Sequence, residues 1–143
     1  MDDAAEDVRE FQERVGHVDG ALVFSTPEIQ DLYHTFVEEE YKEFMDATDS
    51  DAHKLQEAMD LIWVTLGYCN SRGWDVTGAW DELFRSNMSK LQVDGVTGKL
   101  KRRDDGKILK PENWQKPNFE PFVNGCPFSS TFSLCRCLRN RVE

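Results

Sequence analysis

The sequence predicts an all-α protein built as a four-helix bundle, followed by a loop or hairpin extension. Two features carry this expectation. Apolar residues recur at helical spacing in four separate segments, and each segment is bracketed by residues that start or stop helices. With 143 residues, 39% of them apolar and 11% aromatic, the chain has enough material for one ordinary core.

The first helix is expected from about Asp2 to Val15, with Val8, Phe11 and Val15 on one face and Gly16 as its stop. In "STPEIQDL", Ser25 or Thr26 can cap a second helix that has Pro27 at its first position and runs to about Ala47. "TDSD" breaks the pattern and starts a third helix, from about Ala52 to Ser71, which Arg72 and Gly73 end. Asp75 or Thr77 can cap a fourth through "GAWDELFRSNMSKL". The two DG steps and alternating apolar residues of "VDGVTGKLKRRDDGKILKP" then suit a small hairpin or a long loop. From Pro111 the chain should be extended, and after residue 121 its composition shifts to Cys, Ser, Phe and Arg. The expected division is a domain over 1–121 and a tail over 122–143.

A net charge of −10 argues against a nucleic-acid polymer or an anionic membrane surface as partner. The longest apolar run, Leu61 to Cys69, is too short to cross a bilayer, and the acidic start has no signal-peptide pattern. A soluble, cytoplasmic protein is expected. Of the four cysteines, Cys126, Cys135 and Cys137 crowd together without a neighbouring histidine, so free thiols fit better than a zinc site or a disulfide framework.

The acids of the second and third helices are the anomaly. On a wheel of about 100° per residue, Ile29, Leu32, Tyr33, Phe36 and Ala47 point within about 60° of one direction, and Glu40 and Glu43 fall in the same arc. Glu39 lies at its edge, whereas Glu38, Tyr41 and Lys42 point away. A solvated acidic face would keep its charges off the apolar side. The third helix is apolar almost all round from Ala58 to Cys69, with Met59, Ile62, Trp63 and Leu66 on one face, and should be central. Glu57 and Asp60 are neighbours on it, and Asp60 at least should be inside. A short turn would make the two helices antiparallel and bring Glu40 and Glu43 opposite Glu57 and Asp60.

Converging carboxylates cost several kcal/mol per ion, on the order of 3 or more, unless a cation joins them. All-oxygen ligands point to Mg²⁺, with Mn²⁺ as a substitute, rather than to zinc. "DATDSDAHK" lacks the glycine and terminal glutamate of an EF-hand, and "DLYH", with Asp31 and His34, is a lone counterpart to the paired Glu-x-x-His of a di-iron bundle. His53 reads as a surface histidine or a support for the site.

"EEYKE", thirteen residues and then "EAMD" resemble the EExxE…ExxD signature of the all-α nucleoside triphosphate pyrophosphatases, a superfamily that includes MazG-like proteins, dimeric dUTPases and phosphoribosyl-ATP pyrophosphohydrolases. "DVREFQERVG", "LFRSNMSKL" and "DDGKILKPENWQKP" are similar to further segments of the phage and bacterial MazG-like branch, so the resemblance covers about residues 7–121. It implies a MazG fold completed by a second copy, a homodimer or higher homo-oligomer. It also implies Mg²⁺-dependent hydrolysis of an NTP or dNTP between the α and β phosphates, releasing a monophosphate and pyrophosphate. The implied metal ligands are Glu39, Glu40, Glu43, Glu57 and Asp60, with Glu39 and Glu40 as catalytic residues and Glu39 orienting or deprotonating the attacking water. Asn87, Lys90, Lys107 and Lys110 are the implied substrate-binding residues, the first two on one face of the fourth helix and the last two within a basic run that also includes Lys99, Lys101, Arg102 and Arg103. Trp63, Trp80 and Trp114 could each stack on a base, but an aromatic of this kind more often belongs to the core. Gln12, His34 and Phe84 depart from the branch's usual residues at positions that bear on base preference.

Two other readings remain open. One is phosphoribosyl-ATP pyrophosphohydrolase activity, which shares the chemistry. The other is a non-catalytic helical module that binds a divalent ion and would gain stability from metal without turnover.

Overall fold

The computed structural model describes residues 2–18 and 25–123, so Cys126, Cys135, Cys137 and the tail beyond Val123 lie outside the described residues. The described residues form five helices: α1 (Asp2–Arg14), α2 (Pro27–Asp46), α3 (Asp51–Ser71), α4 (Val76–Ser89) and the short α5 (Glu120–Val123). The four long helices match the expected ones to within about two residues at their ends. α5 was not expected from the sequence, since its four residues are too few to show a helical period.

Side-chain caps explain the three internal starts. Thr26 Oγ1 accepts from Ile29 N at 3.3 Å, with Pro27 opening α2. Ser50 Oγ accepts from His53 N at 3.1 Å, and Asp75 Oδ1 accepts from Gly78 N at 3.1 Å. Ser25, the other candidate for the α2 cap, is buried and donates its hydroxyl to the His17 carbonyl instead.

α2 packs on α3 more extensively than any other pair of helices. Their register runs in opposite senses: Gln30 Nε2 reaches Ser71 O, Tyr33 lies on Gly67, and Glu40 meets Glu57 and Asp60. The approach at Gly67 is so close that a β-carbon there would lie 2.4 Å from the Tyr33 ring. Tyr33 is 2% exposed, its hydroxyl meets His17 Nδ1 at 2.9 Å, and burial raises its pKa above the usual phenol value, an effect partly offset by a hydrogen bond with Gln12.

The buried apolar centre is small. Ala5, Val8 and Leu66 form it, with Ala4 and Val76 packed alongside. An amide network adds to it. The fully buried Gln12 donates to Gly67 O at 2.9 Å and accepts from Asn70 Nδ2, which also donates to Ala5 O at 3.0 Å. Gln12 therefore joins α1 to α3 as a structural residue. Cys69 is a free thiol whose pKa is raised by burial, as expected of an inert cysteine.

The predicted apolar face of α3 needs correction. Leu66 is buried, yet Met59, Ile62 and Trp63 are 53%, 43% and 38% exposed. α1 reaches α3 at Trp63, Gly67 and Asn70, all in the C-terminal half of α3. α3 is central at its C-terminal half and half-covered at its N-terminal half.

After α4 the chain makes two small turns, each closed by an isolated antiparallel bridge, Val93 with Leu100 and Arg102 with Ile108. Gly98 and Gly106 sit in them at φ of 68° and 87°, a left-handed conformation that costs glycine little. The following segment runs back along α4. Trp114 Nε1 donates to Ser89 Oγ at 3.0 Å, Asn118 N donates to Glu82 Oε1 at 3.1 Å, and the Phe122 carbonyl accepts from Asp75 N at 2.9 Å. Glu82 is held ionised by Arg85 and the Asn118 amide, which lower its pKa to about 2.

Candidate metal centre

Three of the expected acids converge. Glu40 of α2 and Glu57 and Asp60 of α3 each offer a ligand oxygen, and these oxygens all lie within 4.8 Å of one another. Antiparallel pairing brings the two helices together here, and the three-residue step from Glu57 to Asp60 puts both on the face that meets α2. Burial is not as the wheel suggested. Glu57 is the buried member at 6% exposure, whereas Asp60 and Glu40 are half-buried.

Glu43 is exposed, contrary to its place in the inward arc. It lies in the last turn of α2, and its position on the wheel did not bury it. Its carboxyl nevertheless reaches Glu40. Glu39 is exposed and stands outside the converging group.

The electrostatics are those of a site that needs a cation. At separations of 4.8 Å or less, each ionised pair repels by on the order of 3 kcal/mol at an effective dielectric constant of about 20. Proton or metal uptake would relieve this repulsion. Glu40 shows the first response. Its pKa is pushed up to about 7, by burial first, then by repulsion from Glu43 and a hydrogen bond with it, then by Asp60 and Glu57.

The donor set also fits a metal ion. Glu40 Oε2 and Glu57 Oε2 are buried without a hydrogen-bond partner, an arrangement that protein interiors rarely tolerate. A hard divalent cation, Mg²⁺ or Mn²⁺, would occupy both lone-pair sets and match an all-carboxylate cluster.

His53 backs this site. Its Nε2 meets Glu57 Oε1 at 3.1 Å, while its Nδ1 is hydrogen-bonded to Asp49 Oδ1. The contact with Asp49 is the main cause that raises the His53 pKa and lowers that of Asp49. The sequence reading allowed His53 a supporting place but did not single out Asp49, although the four-residue steps from 49 to 53 to 57 were visible.

A second group forms where α4 meets the returning segment. Lys90 Nζ donates to Asn87 Oδ1 at 2.8 Å, and the ammonium groups of Lys90 and Lys110 lie 5.2 and 4.6 Å from the centre of the Trp114 ring. Lys107 is exposed in the second turn. Arg103 is paired with Asp105 and Arg102 donates to Gly106 O, so part of the basic run is occupied locally. Of the tryptophans, Trp63 meets Phe11 edge-on at 5.6 Å, Trp80 is exposed, and Trp114 serves as the platform for the two lysines. Of the departing residues, His34 lies edge-on against Tyr68 and Phe84 is exposed.

A family model described as phosphoribosyl-ATP pyrophosphohydrolase matches residues 8–87, more than half of the chain, and spans both acidic motifs. No curated protein matches the chain.

Proposed function

Because the chain belongs to the phosphoribosyl-ATP pyrophosphohydrolase family, within the MazG-like all-α NTP pyrophosphatase superfamily, and is thus a hydrolase acting on phosphoric anhydrides, we propose that it cleaves a nucleoside triphosphate between the α and β phosphates. The products are the NMP or dNMP and pyrophosphate, and the reaction depends on Mg²⁺. The observation that carries this reading is the convergence of Glu40, Glu57 and Asp60 with two buried, unpartnered carboxylate oxygens.

Glu40, Glu57 and Asp60 would hold the metal, with Glu43 beside Glu40 as a further ligand. When bound, Mg²⁺ neutralises the phosphates and acidifies a water that attacks phosphorus. Glu39, one residue before Glu40 and open to solvent, orients that water and accepts its proton as the bond from phosphorus to the leaving pyrophosphate breaks. Lys90 and Lys110, steered by the Trp114 face, bind phosphate oxygens together with Lys107, and Asn87 offers its amide to the base or sugar. The substrate's charge is thus matched by local cations in an otherwise acidic protein.

A second substrate is favoured by the description of the matching family model, namely phosphoribosyl-ATP. Its cleavage involves the same bond and the same acids. Incubation with eight NTPs and dNTPs and with phosphoribosyl-ATP, in Mg²⁺ and in EDTA, tests both. Monophosphate and pyrophosphate seen with metal alone support the reaction and identify the substrate. Diphosphate and phosphate would refute cleavage at the α–β bond, and turnover unchanged by EDTA would refute the metal's role. Metal-dependent stabilisation with no turnover of any substrate would favour the non-catalytic module.

The working unit is a homodimer or higher homo-oligomer. Tyr41, Phe44 and Met45 of α2 and Leu55, Met59 and Ile62 of α3 are exposed around the site, an apolar surface that a second copy would cover. Light scattering at micromolar concentration should give at least twice the chain mass, and a monomer would contradict it.

A further inference from the structure

We infer that His53 is a positioning residue for the carboxylate site, held by Asp49 at one ring nitrogen and holding Glu57 with the other, so that the free oxygen of Glu57 faces Glu40 and Asp60. This rests on the reading of those acids as metal ligands. Asp49, His53 and Glu57 follow one another at four-residue steps on one face of α3 and its approach. The root of the histidine is fixed because its backbone N–H donates to the capping Ser50 hydroxyl. Its ring lies between the two acids, with Nδ1 on Asp49 Oδ1 and Nε2 at 3.1 Å from Glu57 Oε1, and because carboxylates only accept, it donates to both when both ring nitrogens carry protons. A rotation that broke one of these contacts would break the other.

Exposed pairs of this spacing usually contribute little, because both partners are solvated. The contact at Glu57 is different. The Glu57 side chain is 8% exposed and that of His53 41%, so the histidine bridges a buried carboxylate to the surface. With His53 Nε2 on Oε1 and nothing on Oε2, Glu57 has one oxygen tethered and one available. Removal of the imidazole leaves both oxygens without that restraint, and a long, flexible side chain must then be ordered by the metal itself. Hydrogen-bonded supports of this kind typically set metal affinity by about 10 to 100-fold, and the partial exposure of His53 places it at the lower end.

The test is direct Mn²⁺ titration of the full chain, followed by calorimetry and by loss of the free-ion paramagnetic signal, for wild type, His53→Ala, His53→Gln and Asp49→Ala. Circular dichroism without metal checks that each variant is folded. The expected result is about tenfold weaker Mn²⁺ binding by His53→Ala, a smaller loss in Asp49→Ala, and partial recovery in His53→Gln, whose amide can still donate to Glu57. In Mg²⁺ turnover assays the loss should be overcome by raising the metal concentration, with kcat restored and the substrate KM little changed. A folded His53→Ala protein that binds Mn²⁺ within about twofold of wild type would overturn the positioning role while leaving the site reading intact. Failure of the wild type to bind Mn²⁺ would overturn that reading and the inference with it.

Discussion

Glu40 on α2 and Glu57 on α3 each keep one carboxylate oxygen, Oε2, buried and without a hydrogen-bond partner, and the two residues belong to the same cluster. Such a pair costs stability while both oxygens lack a partner, and a divalent cation between them would relieve that cost.

The pH dependence of stability should show this. The folded pKa of Glu40, about 7, lies above the ordinary glutamate value of 4.5, so the native state binds the extra proton between these values. Without metal, stability should be greatest below about 4.5 as far as Glu40 is concerned, and should fall as pH rises through 7. With saturating Mg²⁺ the trend should reverse over the same range, because metal competes with the proton for the carboxylate. Melting curves at pH 5 to 8, with Mg²⁺ and with EDTA, check both signs, and Glu40→Gln should flatten the metal-free slope.

Gly67→Ala should be among the most damaging small substitutions. A β-carbon would lie 2.4 and 2.7 Å from two Tyr33 ring atoms, and the ring cannot swing aside because Tyr33 is buried and its hydroxyl is bonded to His17. The expected loss is about 2 to 3 kcal/mol, read as a lower urea midpoint at unchanged slope. Pairing of α2 with α3 should suffer first, and Mg²⁺ affinity with it.

Much of this arrangement was legible in the sequence because it is local. Thr26, Ser50 and Asp75 cap their helices through their own side chains, and the helical period put Glu40 near Tyr33 on the inward side of α2. What a wheel cannot give is how far each neighbour extends. Glu43 and Met59 point in directions that would be buried in an evenly covered bundle, yet both are exposed. The pairing of Trp114 with Lys90 and Lys110 depends on a return path along α4 that has no sequence period.

Lys90→Met and Lys110→Met should act on substrate binding. Each removes a cation at the Trp114 face without touching the acid cluster, and a hydrogen bond to a charged group contributes about 1.5 to 3 kcal/mol. The KM for the triphosphate should rise by about tenfold or more in each, with a smaller change in kcat. Steady-state kinetics at saturating Mg²⁺ measures this split, and an unchanged KM in both would remove these lysines from the substrate site.

Metal-dependent cleavage at the carboxylate cluster is tested most directly by pyrophosphate release by wild type and by Glu40→Gln with the preferred nucleotide, each with Mg²⁺ and with EDTA. The substitution preserves the shape of the side chain and removes its charge. The expected result is metal-dependent release by the wild type, and a folded variant slower by on the order of a hundredfold. A folded Glu40→Gln protein that releases pyrophosphate at the wild-type rate in Mg²⁺ would contradict it.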